Sequence, residues 1–250
     1  MLRVHRPVAV VALAAACLAA QAGPTVVKVG EPLARFELLQ PGVHRYLRYE
    51  IHGDERRVLD IWTRRIGFET QDGQRRLHVH QRWDEAVKPA VVLELDSWFE
   101  PGTFRPLTHR RRLDKAGVVT ERDFRFEPGR LVEQGKDEAL ATPEPVFNFE
   151  VDMEMLQALP LAEGYEADLP FLDAGVDKPG RYVFKVAGAQ AIAGPDGAPI
   201  DCWLVTADYN TGKVASRFWI AKKTQVLVRE EAALPDGGTI VKTLLAPEAA

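Results

Sequence analysis

His78 and His80, in the stretch RRLHVHQRW, have the one spacing in this sequence that suggests a metal. Residues two apart on a strand point to the same face, so both imidazoles can share an ion. A third ligand must then come from a neighbouring strand, where His52, Glu69 and Glu94 are candidates and no spacing chooses among them. Arg76 and Arg82 share that face, and their positive charge opposes a cation. The competing reading is a solvated sheet face.

Other reactive types are scattered. Glu94 and Asp96 share a strand face, but an acid/base pair needs environments that split its pKa values. The run His109-Arg110-Arg111-Arg112 suits anionic headgroups or a partner's carboxylates. Alternation divides it between two faces, which equally suits a strand whose charges discourage edge pairing. No G-x-S-x-G, H-E-x-x-H, phosphate-loop or dinucleotide fingerprint occurs, so no cofactor is expected.

The aromatic residues offer a different chemistry. Trp62, Trp83, Trp98, Trp203 and Trp219 all fall in strand-like stretches. Two uses are open: they fill the core of a curved sheet, or they line an apolar pocket. In the second case Trp62, Trp98, Phe104, Phe184, Trp203, Phe218 and Trp219 form the wall. Its ligand is an acyl chain or another apolar molecule, held by about 25 cal/mol per Å² of buried apolar surface before ordering costs.

The elements that must position these residues are strands. In RRLHVHQRW, Leu77, Val79 and Trp83 alternate with polar neighbours. VHRYLRYEI places Val43, Leu47, Tyr49 and Ile51 on one side, and RYVFKV does the same with Tyr182, Phe184 and Val186. Turn dipeptides, among them Asp72-Gly73, Ala116-Gly117, Asn210-Thr211-Gly212 and Asp236-Gly237, punctuate the chain into roughly ten or eleven strands. NFEVDMEMLQALP breaks this rhythm: Asp152, Met155, Leu156 and Leu159 recur at helical spacing and Pro160 stops the run, predicting a helix over 150–159 that packs as a plug or lid. Residues 133–145 read as a surface connection.

The first 22 residues read as a secretory signal peptide. Arg3, His5 and Arg6 precede an apolar run from Val8 to Ala20, too short to span a bilayer, and Ala20-Gln21-Ala22 supplies a cleavage site after Ala22. The mature chain is then residues 23–250, periplasmic and with no stable membrane span. Loss of Arg3 and Arg6 takes the formal charge from −4 to −6, a poor match to nucleic acid. Only Cys202 of the two cysteines remains, so the fold has no internal disulfide and rests on its apolar core. Alternation with Leu204 reads Cys202 as a buried thiol.

Two stretches repeat at an offset of 121. Trp98, Thr103, Leu107, Leu113, Gly117 and Val119 match Trp219, Thr224, Val228, Leu234, Gly238 and Ile240. Each copy spells strand, turn, strand, turn, strand, within two related meanders at about 43–132 and 165–246.

FWIAKKTQVLVREE with its later D-G-G turn, and its counterpart DSWFEPGTFRPLTHR, resemble the Trp-led hairpin of the bacterial outer-membrane lipoprotein carriers and lipoprotein-localisation receptors. The layout from LLQPGVHRYLRYEI to the C-terminus is similar to an uncharacterised periplasmic domain family of the same half-barrel type. The resemblance implies an all-β fold, a curved antiparallel sheet forming a half-open barrel whose concave side is partly closed by helix. Related carriers hold acyl chains there. One helix in place of their several is a departure, and no catalytic residue carries over. The expected function is a non-catalytic periplasmic binding protein for an apolar or lipidic ligand in cell-envelope maintenance. A scaffold module engaging an envelope protein through exposed strand edges, and a metal-dependent enzyme using His78 and His80, are the alternatives.

Overall fold

Alternating apolar and polar residues between turns give strands that bury one face, and such strands account for most of this chain. The computed structural model describes residues 23–86, 91–175, 178–210 and 215–247; the signal-peptide reading and most of the turn expected at Asn210-Thr211-Gly212 lie outside them. The described residues form sixteen strands. In the first half these are β1 Thr25–Val26, β2 Gly42–His52, β3 Glu55–Gln71, β4 Gln74–Glu85, β5 Val91–Phe99, β6 Pro106–Lys115, β7 Val118–Glu127, β8 Arg130–Glu133, β9 Leu140–Ala141 and β10 Phe147–Asn148. A 3-10 turn, Phe149–Val151, leads into the helix α1, Asp152–Ala158. The second half holds β11 Glu166–Leu172, β12 Gly180–Ala193, β13 Pro199–Ala207, β14 Ser216–Ala221, β15 Leu227–Ala233 and β16 Thr239–Leu244.

All sixteen belong to one sheet, ordered β1-β11-β12-β13-β14-β15-β16-β2-β3-β4-β5-β6-β7-β8-β9, with β10 beside β11. The pairing is antiparallel except where β1 and β10 flank β11. C-terminal β16 docks on N-terminal β2, Val241 opposite Tyr49, so the two meanders lie side by side in one unbroken sheet. The sheet is not closed into a barrel: β1 and β9 end it, each two residues long. These end strands are short, but β8 covers only Phe124–Glu127 of β7 and leaves Val118–Asp123 without a ladder partner on its outer side. Among the described residues no helix is long and apolar enough to cross a membrane.

The repeat is structural. Strands β6 and β15 begin at 106 and 227, and β7 and β16 at 118 and 239, each pair separated by the same 121 residues. The ladder slips by one residue at Trp98/Phe99 in one copy and at Trp219/Ile220 in the other. Phe104 and Gln225, also equivalent, both take left-handed backbone, at φ 51° and 58°. Non-glycine residues rarely adopt that region, so its recurrence marks the same loop built twice.

Three expectations need correction. The strand count exceeds ten or eleven, chiefly through short β1, β8, β9 and β10, and β9 falls inside the stretch read as a surface connection. The helical turns begin in 3-10 form at Phe149, so α1 itself is shorter than 150–159. In β2 the face is reversed: Tyr46 enters the core while Val43 is 47% exposed. The pairing shift at Arg48/Tyr49 puts the extra residue, Leu59, on β3, so β2 itself keeps its alternation and Tyr46 stands on the face opposite to Val43.

Candidate functional site

The concave side of the sheet is occupied. Met153, Met155, Leu156 and Ala158 of α1 are fully buried in one cluster with Tyr46, Trp62, Ile66, Leu77, Val79 and Phe99. The opposite wall contributes Phe171, Phe184, Val186, Phe218 and Ile220 to that cluster. Of the seven residues expected to line a pocket, Trp62, Phe104, Phe184 and Phe218 lie within this packed core and Trp203 packs against it. The wall is therefore in contact with the protein's own helix. Trp98 and Trp219 do not join it. Trp219 lies between core residues Phe218 and Ile220, and alternation turns it to the other face, where it packs with Cys202, Ala221 and Val228. Trp98, between buried Ser97 and Phe99, stacks on His78 at 4.1 Å.

A polar centre, not legible as a motif, fastens α1 to the sheet. Arg64 of β3 is 1% exposed and donates from Nε to Glu154 Oε1 at 2.8 Å, from Nη1 to Gln81 at 2.7 Å and from Nη2 to the Glu150 carbonyl at 3.0 Å. Its guanidinium lies 4.4 Å over the Trp62 ring, which also carries the Lys242 ammonium at 4.9 Å. Lys242 in turn pairs with Glu230 at 2.7 Å. Asp152, at the start of α1, accepts from Tyr209 at 3.2 Å. Burial first, and the Glu230 charge second, push its carboxyl up to about 7. An unpaired buried charge costs several kcal/mol, so this centre holds the helix in one position. Its groups are engaged with one another.

Ser97, His109 and Asn148 form a second buried cluster. Ser97 Oγ is 2.9 Å and Asn148 Nδ2 3.3 Å from His109 Nδ1. Burial, then Arg111, drive the imidazole down to about 3, so it is neutral. A hydroxyl beside a neutral imidazole is nucleophile-and-base chemistry in kind. Here all three residues are at most 1% exposed, so the Ser97 hydroxyl is closed to solvent, with His109 at the wall of a neighbouring cleft. The neighbouring arginines are not an open basic patch: Arg110 pairs with Asp123, Arg111 with Glu150 and Asp173, and Arg112 with Glu94.

His78 does not reach His80 through a shared ligand set. Its Nδ1 lies 2.8 Å from Glu69 Oε1 and its Nε2 2.8 Å from Asp96 Oδ1. Burial opposes its charge, but the hydrogen bonds to Asp96 and Glu69 outweigh that and raise its pKa. With both ring nitrogens turned to carboxylates, His78 has none left for a metal. No group of three possible ligands converges among the described residues. Glu94 and Asp96, the other carboxylate pair on this face, are each held by cations, Glu94 by Arg82 and Arg112 and Asp96 by His78. Cys202 is buried, and burial pushes its thiol up to about 11, which leaves it inert at neutral pH.

Open space lies outside the trough. A groove of about 860 Å³, at the strand ends where β2 begins and β16 finishes, is lined by Val43, Ile61, Ile200, Val226, Leu244 and Leu245, with Arg45, Arg65 and Asp84 beside them. Val43 and Ile61 are 47% and 38% exposed. A cleft of about 830 Å³ lies over β5, β6 and β7, lined by Trp98, Thr108, Arg110, Asp123, Gln71 and Gln134 among others. A third hollow of about 510 Å³ sits against the N-terminal turn, between Val29, Arg105, Phe126 and Val146.

No curated protein matches the chain. Among solved structures it is similar to a β-barrel-like protein of the DUF1849 domain from Brucella abortus, with 12% identity and a TM-score of 0.50 over 83% of this chain and 96% of that one. A DUF1329 family protein from Desulfovibrio piger aligns over 86% of this chain and 91% of its own at 12% identity, with a TM-score of 0.33. The first likeness shows a shared fold. The model of DUF3108, described as a protein of unknown function, matches residues 48–245, and the chain belongs to that family.

Proposed function

We propose that this is an exported, non-catalytic binding protein of the bacterial cell envelope that holds an apolar ligand with an anionic head in the groove where β2 begins and β16 finishes. The observation that carries the reading is the groove itself. Val43, Ile61, Ile200, Val226, Leu244 and Leu245 give it an apolar lining, and its cations Arg45 and Arg65 outnumber its one carboxylate, Asp84. Each methylene buried there contributes about 0.8 kcal/mol, so a ten-carbon chain gains about 8 kcal/mol before ordering costs. The arginines suit a carboxylate or phosphate head. The resemblance to lipoprotein-localisation carriers points to the same ligand class, with the site moved from the helix-filled trough to its end. Against catalysis stand the ion pairs that engage the carboxylates and His78, and the burial of Ser97.

Native mass spectrometry of protein purified from the periplasm is expected to show an acyl-bearing species, absent in Ile61→Asp. Affinity for a series of fatty acids is expected to rise about fourfold per added methylene until the groove is full. Ligand-free protein that takes up no fatty acid overturns the reading. N-terminal sequencing of the same material tests export, with Gly23 as the expected first residue.

A further inference from the structure

The two copies of the repeat treat their leading tryptophan differently. In the second copy Trp219 is 5% exposed, Arg217 lies 5.3 Å over its ring, and its Nε1 donates to Gln190 at 2.9 Å. Its partner across the ladder is Arg229. The equivalent positions in the first copy, 121 residues earlier, are Asp96 and Thr108, both shorter. Trp98 is accordingly half-buried, with His78 stacked 4.1 Å from it at an interplanar angle of 5°. Where the second copy lays arginine over the indole, the first leaves the cleft of about 830 Å³.

The chemistry of that cleft is polar and charge-balanced. Asp96 pairs with His78 at 2.8 Å and Asp123 with Arg110 at 2.7 Å, and the other charged lining residues, Glu133, Arg125 and Lys136, bring the cleft to three carboxylates against three Arg/Lys cations. Gln71, Gln134 and Thr108 add uncharged donors and acceptors. Paired charges leave little net field to select an ion, whereas planar amide, carboxylate and guanidinium groups around an aromatic plate match a neutral ring bearing many hydroxyls. The C–H face of a sugar is apolar and slightly positive and meets the negative face of an indole, while its hydroxyls require such a rim.

We infer that this cleft is a carbohydrate-binding site, with Trp98 as the plate on which one sugar ring of a neutral glycan stacks, and with Asp96, Asp123, Gln71 and Gln134 taking its hydroxyls. It lies apart from the apolar groove and does not depend on that groove's ligand. The second copy lacks the site because Arg217 covers the Trp219 ring.

The test titrates maltohexaose, cellohexaose and chitohexaose into the full mature chain, followed by calorimetry and tryptophan fluorescence. At least one is expected to bind, to weaken by at least about tenfold in Trp98→Ala, and to be unaffected in Trp219→Phe. Thr108→Lys, which places a long side chain beside the plate, provides a second variant should Trp98→Ala unfold, and is expected to weaken binding as well. No binding of any of the three at millimolar concentration, or equal binding by wild type and both cleft variants, overturns the proposal.

Discussion

Arg64 is the residue on which the interior depends, because it is the buried cation that meets Glu154, Gln81 and the Glu150 carbonyl at once. Arg64→Met strands Glu154 as an uncompensated buried carboxylate and is expected to cost about 3–5 kcal/mol in urea unfolding. The double variant Arg64→Met with Glu154→Leu should recover most of that loss, since a well-packed apolar pair avoids both desolvation penalties. Asp152 predicts a pH dependence. Its carboxyl is raised from 3.8 to about 7, so between those values the folded state holds a proton that the unfolded chain has released. Stability from this group is complete below the unfolded pKa and is lost as pH rises through about 7. Asp152→Asn is expected to gain on wild type progressively across that window, checked by denaturant midpoints from pH 4 to 8. The sequence hid this centre: Arg64 and Glu154 are ninety positions apart, and periodicity assigns a face but not a partner across the trough. The same holds for His109, which reads as the first residue of a basic run and is in fact sealed beside Ser97 and Asn148.

At the scale of elements, α1 fills the trough of the sheet. Leu156 is fully buried among the wall residues, and Leu156→Ala is expected to destabilise by about 2–5 kcal/mol, read from urea midpoints, with acyl binding at the end groove unchanged once the fold is saved by lower temperature. The helix was legible from the spacing of Met155, Leu156 and Leu159, as were most long strands and the duplicated meander. Short β1, β8, β9 and β10 were not, since two to four residues carry no period. Strand β2 misled because apolar residues stand on both of its faces: Tyr46 turns inward while Val43, three positions away, turns outward. Trp98 and Trp219 could be matched to each other by sequence, but their side of the sheet depended on the neighbours Phe99 and Ile220, which alternation gives to the core.

For the whole molecule, one unbroken sheet wraps a helix and ends in two strands of two residues each. These short ends, and the charges of Glu121, Arg122 and Asp123 on the open stretch of β7, resist edge-to-edge growth, so the protein is expected to run as a monomer in light scattering after gel filtration, and a concentration-dependent dimer would count against protected edges. The antiparallel strands followed from period-2 patterning and the helix from the spacing of its apolar residues, while the curved half-open sheet was what the family resemblance implied. That the plug fills the trough did not follow, because sequence gives the apolar faces of helix and sheet without the volume between them. The central claim is that the interior is occupied by α1 and that apolar ligand is held outside it. Anomalous diffraction from crystals grown with a terminally brominated fatty acid tests this most directly. The bromine peak is predicted beside Val43, Ile61 and Val226; a peak between Trp62, Phe184 and Phe218, with the helix displaced, would contradict the claim.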